Sequence, residues 1–194
     1  PDPAAARQMV REAKRLKRIL QVGFVERFNP AVRAALKIAD RPRYIVSERL
    51  APFTGRSTDV DVILDLMIHD LDVVTLLIPH PLQEIRALGV PMFTHEIDMA
   101  TARLAFEDGS VAQLSAGRAS LSASRKIRLF TLERYLSVDC QLQEVRSIRR
   151  EAAKLDEQWP TLSGEPVSVD KGDALSCQLQ NFIDCINTRQ TPEV

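Results

Sequence analysis

Six segments in the second half of the chain, residues 83–90, 98–106, 110–118, 125–132, 134–140 and 143–150, read as strands, several of them joined by short turns such as Glu107-Asp-Gly-Ser110. A turn of that length cannot carry a crossover helix, so strands joined this way pair antiparallel. The first half follows a different rhythm. Helical patterns over residues 3–18, 30–39 and 60–78 are interleaved with strand-like runs at 21–25 and 43–51. The expected class is α+β: an open, largely antiparallel β-sheet with helices on one face, preceded by an α-then-β unit of the kind that belongs to a parallel sheet.

That leading unit lacks its partner strands. Gln21-Val-Gly-Phe-Val25 is short and apolar enough to be a buried strand, and Pro1-Asp-Pro3 opens without a methionine, so the chain is expected to begin in mid-domain. Pro3 and Pro30 suit the first turns of their helices. Residues 151–171 are polar and interrupted by Pro160, Gly164 and Pro166, which predicts a long excursion before a final helix from about Asp173 to Thr188.

Within the helical segment 60–78, Asp65, His69 and Asp72 recur at i, i+4 and i+7, so an α-helix would place them on one face. Val62, Ile63, Leu66, Met67 and Val73 occupy the others. Burying carboxylates and an imidazole is costly unless they are paired or used. Three readings stay open: a solvated stripe, an acid/base site in a cleft, and a divalent-metal site. The last lacks a second histidine near by in the sequence.

Composition excludes several classes. With 194 residues and 45% hydrophobic content the chain can bury a core, while 26 basic and 26 acidic residues leave no net field for nucleic acid or an anionic membrane. No apolar run approaches the ~20 residues needed to span a bilayer. Cys140, Cys177 and Cys185 have no metal-ligand spacing and suit reduced thiols, so a cytoplasmic setting is expected. Ala102, Leu104, Val111, Gln113, Ser115 and Leu129 occupy alternating positions in the strands, and one helix pair cannot cover both faces of six strands. The open face is expected either to meet a second copy, giving a homo-oligomer, or to be solvated.

Two motifs carry a resemblance. Val22-Gly-Phe-Val-Glu-Arg-Phe-Asn-Pro30, followed by Asp65-Leu-Met-Ile-His69-Asp-Leu-Asp72, resembles the substrate-domain signature of the Gfo/Idh/MocA oxidoreductases, and the likeness extends to the Leu179–Ile186 helix. Within that family the loop Pro52-Phe-Thr-Gly-Arg-Ser-Thr-Asp-Val60 is most similar to the subgroup acting on the 3-position of UDP-N-acetylglucosamine. The chain departs from the family plan in having no Gly-x-Gly-x-x-Gly turn and no Glu-Lys-Pro motif. The resemblance therefore implies a fragment: residues 1–25 as the remnant of an otherwise missing Rossmann domain, and residues 26–194 as the substrate-binding and oligomerisation domain.

What the resemblance implies about chemistry is a dehydrogenase that uses NAD or NADP, bound mainly by the missing domain, to oxidise a secondary alcohol of a sugar or sugar nucleotide. His69 would take the hydroxyl proton, or relay or bind while the lysine of the missing Glu-Lys-Pro motif shares or takes the role of base, and Asp65 would orient its ring. Arg27 and Asn29 lie in the loop where the family joins cofactor and substrate; Asn29 could reach a sugar hydroxyl or the nicotinamide, or simply cap the next helix. Arg49 and Arg56 are candidate diphosphate contacts. Asp72 is a further substrate-side candidate, or a support for the helix. Phe28 and Phe53 fit a core more readily than a stacking platform. A non-catalytic dimerising or ligand-binding module of the same fold, and metal-dependent hydrolysis at the acidic helix, remain the alternatives.

Overall fold

A computed structural model of the chain describes residues 2–151 and 159–194. Helix α1, Pro3–Arg15, begins where the Asp2 carboxylate accepts the N–H groups of Ala4 and Ala5 at 2.9 and 3.3 Å, with Pro3 in the first turn. Lys14 and Arg15 complement its C-terminal dipole. None of its residues is buried, and Met9 and Val10 are exposed.

The strand expected at 21–25 does not form. Those residues run without regular structure into a 3₁₀ turn at Val25–Phe28, and Val22 is 52% exposed. An isolated apolar run has no ladder to join; the Val22 carbonyl instead accepts from the Gln178 side chain at 3.1 Å.

Helix α2, Pro30–Ile38, leads to strand β1, Tyr44–Leu50. The expected long acidic helix begins at residues 63–67 as a single π turn and continues as α3, Ile68–Leu77. Asp61 caps this start by accepting from the backbone of Ile63 and Leu64 at 3.0 and 2.9 Å. Six strands follow: β2 Leu82–Val90, β3 Met99–Phe106, β4 Val111–Gly117, β5 Ser124–Phe130, β6 Arg134–Asp139 and β7 Glu144–Arg150. All six match expectation to within a residue or two. The excursion over 151–171 hides a further strand, β8, Leu162–Pro166; residues 152–158 of that excursion lie outside the described residues. Helix α4, Ala174–Thr188, closes the order, capped by Asp173.

The eight strands form one sheet in the order β2-β3-β4-β1-β5-β6-β7-β8, antiparallel except where β1 runs parallel to β4. The exception follows from connectivity, since the chain leaves β1 through α3 and returns at β2, three strands away. The β3–β4 turn needs Gly109 at φ +80°, a left-handed position that costs glycine little.

One face of the sheet carries the core. Ile45, Leu114, Ile127, Leu129, Leu136 and Val138 point to Ala31, Val32 and Ala35 of α2 and Val73, Val74 and Leu77 of α3. Burying each larger aliphatic side chain contributes about 1.5–3 kcal/mol. No helix among the described residues covers the other face, and there Leu88 is 80% and Val90 53% exposed. Tyr44, Phe130 and Tyr135 form an aromatic row on that face, with centroids 5.9 and 5.0 Å apart. Cys140, Cys177 and Cys185 are all free thiols. No helix among the described residues is long and apolar enough to cross a membrane.

Candidate active site

The two sequence motifs meet at the C-terminal end of β1. The 3₁₀ turn brings Glu26 inward, β1 contributes Arg49, and α3 contributes Asp70, each at most 4% exposed. Arg49 donates through Nη1 to Glu26 Oε1 at 2.9 Å, and through Nε and Nη2 to Asp70 Oδ1 at 3.1 and 2.7 Å. Burial works against the guanidinium's charge, yet Asp70 and then Glu26 hold it protonated more firmly than a free arginine. Arg49 is therefore committed to a buried ion triad and is not the diphosphate contact expected of it.

Asn29 is committed as well. Its Oδ1 accepts the N–H of Ala31 at 3.0 Å as the α2 cap, while Nδ2 donates to Glu26 Oε2 at 3.1 Å and to the Cys140 carbonyl at 2.9 Å. The cap forms, and both partners of Nδ2 lie within the chain.

Arg27 and Asp72, both expected on the substrate side, hold each other. Arg27 Nε reaches Asp72 Oδ2 at 2.7 Å and Nη2 reaches Oδ1 at 2.5 Å, a bidentate pair in which Asp72 is 4% and Arg27 23% exposed at the side chain. The Arg27 Nη1 donates to the Glu193 carbonyl at 2.9 Å. This pair ties the 3₁₀ turn to α3. It also removes Asp72 from any trio of metal ligands with Asp65 and His69, and no cluster of three such groups occurs among the described residues.

His69 differs from these residues in keeping a ring nitrogen without a partner. It is half-buried, its ring sits edge-on to Phe24 with centroids 6.4 Å apart, and its Nδ1 is buried without a hydrogen-bond partner. Burial lowers its pKa below the ordinary imidazole value, the Arg49 charge and more weakly Arg125 lower it further, and Glu26 and Asp70 oppose. The ring is thus neutral at pH 7 and able to accept a proton.

The expected link from Asp65 to His69 is absent. Asp65 lies in the π turn, half-buried, and its carboxylate makes no hydrogen bond among the described residues. A π turn holds more residues than an α turn and breaks the stacking that i, i+4 spacing assumes, and such turns concentrate at functional sites. Arg56 lies on the exposed loop 51–60 and makes no hydrogen bond or ion pair among the described residues.

Sequence reasoning missed three groups. Glu26 and Asp70 stand inside the quoted motifs beside Arg27 and His69, and their burial was the unread signal. Arg125, the second residue of β5, stands opposite Arg49, exposed and without a side-chain partner among the described residues. Only the strand register places it near His69.

A second buried ion pair organises the neighbouring loops. Asp98 Oδ2 accepts the backbone N–H groups of Met92, Phe93 and Thr94 at 2.7, 2.7 and 2.8 Å, and Oδ1 accepts from Arg118 Nε at 2.6 Å. Burial alone would raise the Asp98 pKa, but the Met92 N–H, Arg118 and the other donors outweigh it and hold the carboxyl far below the usual range. Arg118 Nη1 in turn donates to the carbonyls of Ser57 and Val60 at 2.6 and 2.8 Å.

No family model matches the chain. It is 37% identical over 186 residues to UDP-N-acetylglucosamine 3-dehydrogenase of Acidithiobacillus ferrooxidans, covering 95% of this chain and 59% of that protein. A solved structure of the enzyme from that organism superposes with a TM-score of 0.89 at 35% identity, over 98% of this chain and 61% of the other. Levoglucosan dehydrogenase in complex with NADH and L-sorbose shares the fold alone, with a TM-score of 0.74 at 13% identity over 91% of this chain and 59% of that one. The chain thus spans about three fifths of the length of the proteins it matches.

Proposed function

From a chain with the C-terminal-domain fold of the Gfo/Idh/MocA dehydrogenases, we propose that this is the substrate-binding part of an NAD- or NADP-dependent oxidoreductase that oxidises a secondary alcohol of a sugar nucleotide, with UDP-N-acetylglucosamine at its 3-position as the first candidate. The observation that carries the reading is His69: a neutral imidazole with an unpartnered nitrogen, at the meeting point of both motifs, in a chain more than a third identical to such an enzyme.

Oxidising a secondary alcohol requires the hydroxyl proton to leave as hydride departs from the same carbon. His69 takes that proton, and the Glu26–Arg49–Asp70 triad beneath fixes the backbone from which His69 projects. The described residues contain no strand-turn-helix unit with a glycine-rich turn, so they form no dinucleotide cradle, and Asn29 does not supply one. Holding the nicotinamide falls to another part of the intact protein; when bound, it accepts the hydride. Residues 1–25 are assigned to that nucleotide-binding part, in keeping with a helix α1 whose apolar residues find no core here. Residues 26–194 form the substrate domain. The uncovered sheet face, with Leu88, Val90 and the Tyr44–Phe130–Tyr135 row, is assigned to contact between copies.

The test is to supply the intact protein with NAD or NADP and UDP-N-acetylglucosamine and follow cofactor reduction. Turnover is expected. A protein inert on every sugar and sugar nucleotide tried, yet carrying this fold, would instead be a binding or assembly module.

A further inference from the structure

Two loops at the C-terminal end of β1 are pinned to a single buried ion pair. Arg118 holds the carbonyls of Ser57 and Val60 in loop 51–60, and Asp98 holds the N–H groups of Met92, Phe93 and Thr94 in loop 91–98. Their tips carry Phe53 and Phe93, whose rings touch with centroids 5.3 Å apart and planes tilted by 56°. Both rings face water, Phe53 at 44% and Phe93 at 59% exposure. Core packing does not account for a rigidly mounted aromatic pair left in solvent.

Two cations lie at the same end of the sheet, beside the Asp59 and Glu96 carboxylates of the two loops. Arg56 follows Phe53 by three residues, and Arg125 stands opposite Arg49 across the β1–β5 ladder. Arg49 consumes the two buried carboxylates, whereas Arg56 and Arg125 are exposed and have no side-chain partner among the described residues. A ligand that satisfies this surface has a flat ring at one end, adjacent negative charge, and a neutral group that reaches the imidazole.

Resting on the oxidoreductase reading above, we propose that Phe53 and Phe93 form a stacking platform for the base of a nucleoside diphosphate, and that Arg56 and Arg125 grip its diphosphate, so that the attached sugar is delivered to His69. A guanidinium matches phosphate oxygens in pairs, and an exposed aromatic ring offers a face to any base. The arrangement makes the nucleotide a handle for binding and leaves the chemistry to His69. Specificity for sugar nucleotides over free sugars then resides in these four side chains.

The experiment is calorimetric titration of the intact protein with UDP, uridine, inorganic pyrophosphate and N-acetylglucosamine, comparing wild type with Phe53→Ala, Arg56→Gln and Arg125→Gln. All three substitutions are at exposed positions, and unchanged thermal midpoints verify the fold. UDP is expected to bind. Arg125→Gln is expected to weaken UDP and pyrophosphate by about tenfold or more while leaving uridine unchanged, and Phe53→Ala to weaken UDP and uridine by about tenfold while sparing pyrophosphate. UDP affinity unmoved by all three substitutions overturns the proposal. A wild type that oxidises free sugars but ignores UDP overturns it too, with the oxidoreductase reading intact. UDP binding with these sensitivities, but no oxidation of any sugar nucleotide, keeps the site and removes the oxidoreductase.

Discussion

Arg27 and Asp72 are joined by a two-pronged ion pair across 45 residues of sequence, at 2.7 and 2.5 Å, so the loop motif and the helix motif are one structural unit. Asp72 is buried in this pair, while Arg27 keeps part of its guanidinium at the surface. Removing Asp72 strands a guanidinium that is mostly covered. Asp72→Ala is expected to lower stability by about 2 kcal/mol, below the figure for a fully buried pair because Arg27 keeps some contact with water. Urea unfolding at neutral pH measures it, and an Arg27→Ala, Asp72→Ala double variant that costs less than the two singles combined identifies the pair as the cause.

Arg49→Met leaves Glu26 and Asp70 buried without their cation. The expected loss is about 3–5 kcal/mol, the range for breaking a buried ion pair from one side. Chemical denaturation checks it. A variant as stable as the wild type would mean that the triad is dispensable packing.

Much of this architecture is legible in the sequence. Strands β2 to β7 announce themselves through alternation and turn chemistry, both local properties that a linear reading captures. Strand β8 does not, because Leu162-Ser-Gly-Glu-Pro166 contains glycine and proline; it holds its edge through Glu165, which meets Arg134 at 3.1 Å and Arg149 at 3.5 Å. The reverse error falls at Gln21–Val25, where apolar content mimics a strand that has no neighbour. At the site, His69 stands out by spacing, but the fates of Arg49, Asn29 and Asp72 depend on which carboxylate or carbonyl arrives from a distant segment. Pairwise contacts across 20 to 111 residues of sequence carry no local signature.

Burial and Arg49 depress the His69 pKa, so in the folded protein the ring gains its proton below pH 6.5, whereas in the unfolded chain it does so near ~6.5. The unfolded state therefore binds more protons in the interval between the two values. Stability contributed by neutral His69 is complete above about pH 6.5 and is lost as pH falls through the folded value. Ring chemical shifts in an NMR titration are expected to place the His69 midpoint below the ordinary imidazole value. A midpoint at or above that value contradicts the site geometry.

Asp98 obeys the carboxylate version of the same rule. Its donors hold the folded pKa far below the usual range, so its contribution is present above about pH 4 and fades as acid protonates the unfolded state first. Asp98→Asn is expected to flatten the fall in stability with acid below that pH, and to raise proteolytic nicking in loops 51–60 and 91–98, because the Arg118 anchor loses its charge partner. Limited proteolysis at neutral pH, followed by mass spectrometry, locates the nicks.

His69 is proposed to remove a sugar hydroxyl proton during oxidation. The most direct test is single-turnover cofactor reduction by the intact protein, wild type against His69→Ala, across the acid range to neutral pH. The wild-type rate is expected to rise with pH through the depressed His69 pKa and level off before neutrality, and His69→Ala is expected to be slower by about a hundredfold or more with that rise abolished. A His69→Ala protein with the wild-type rate and the wild-type pH profile would contradict the account.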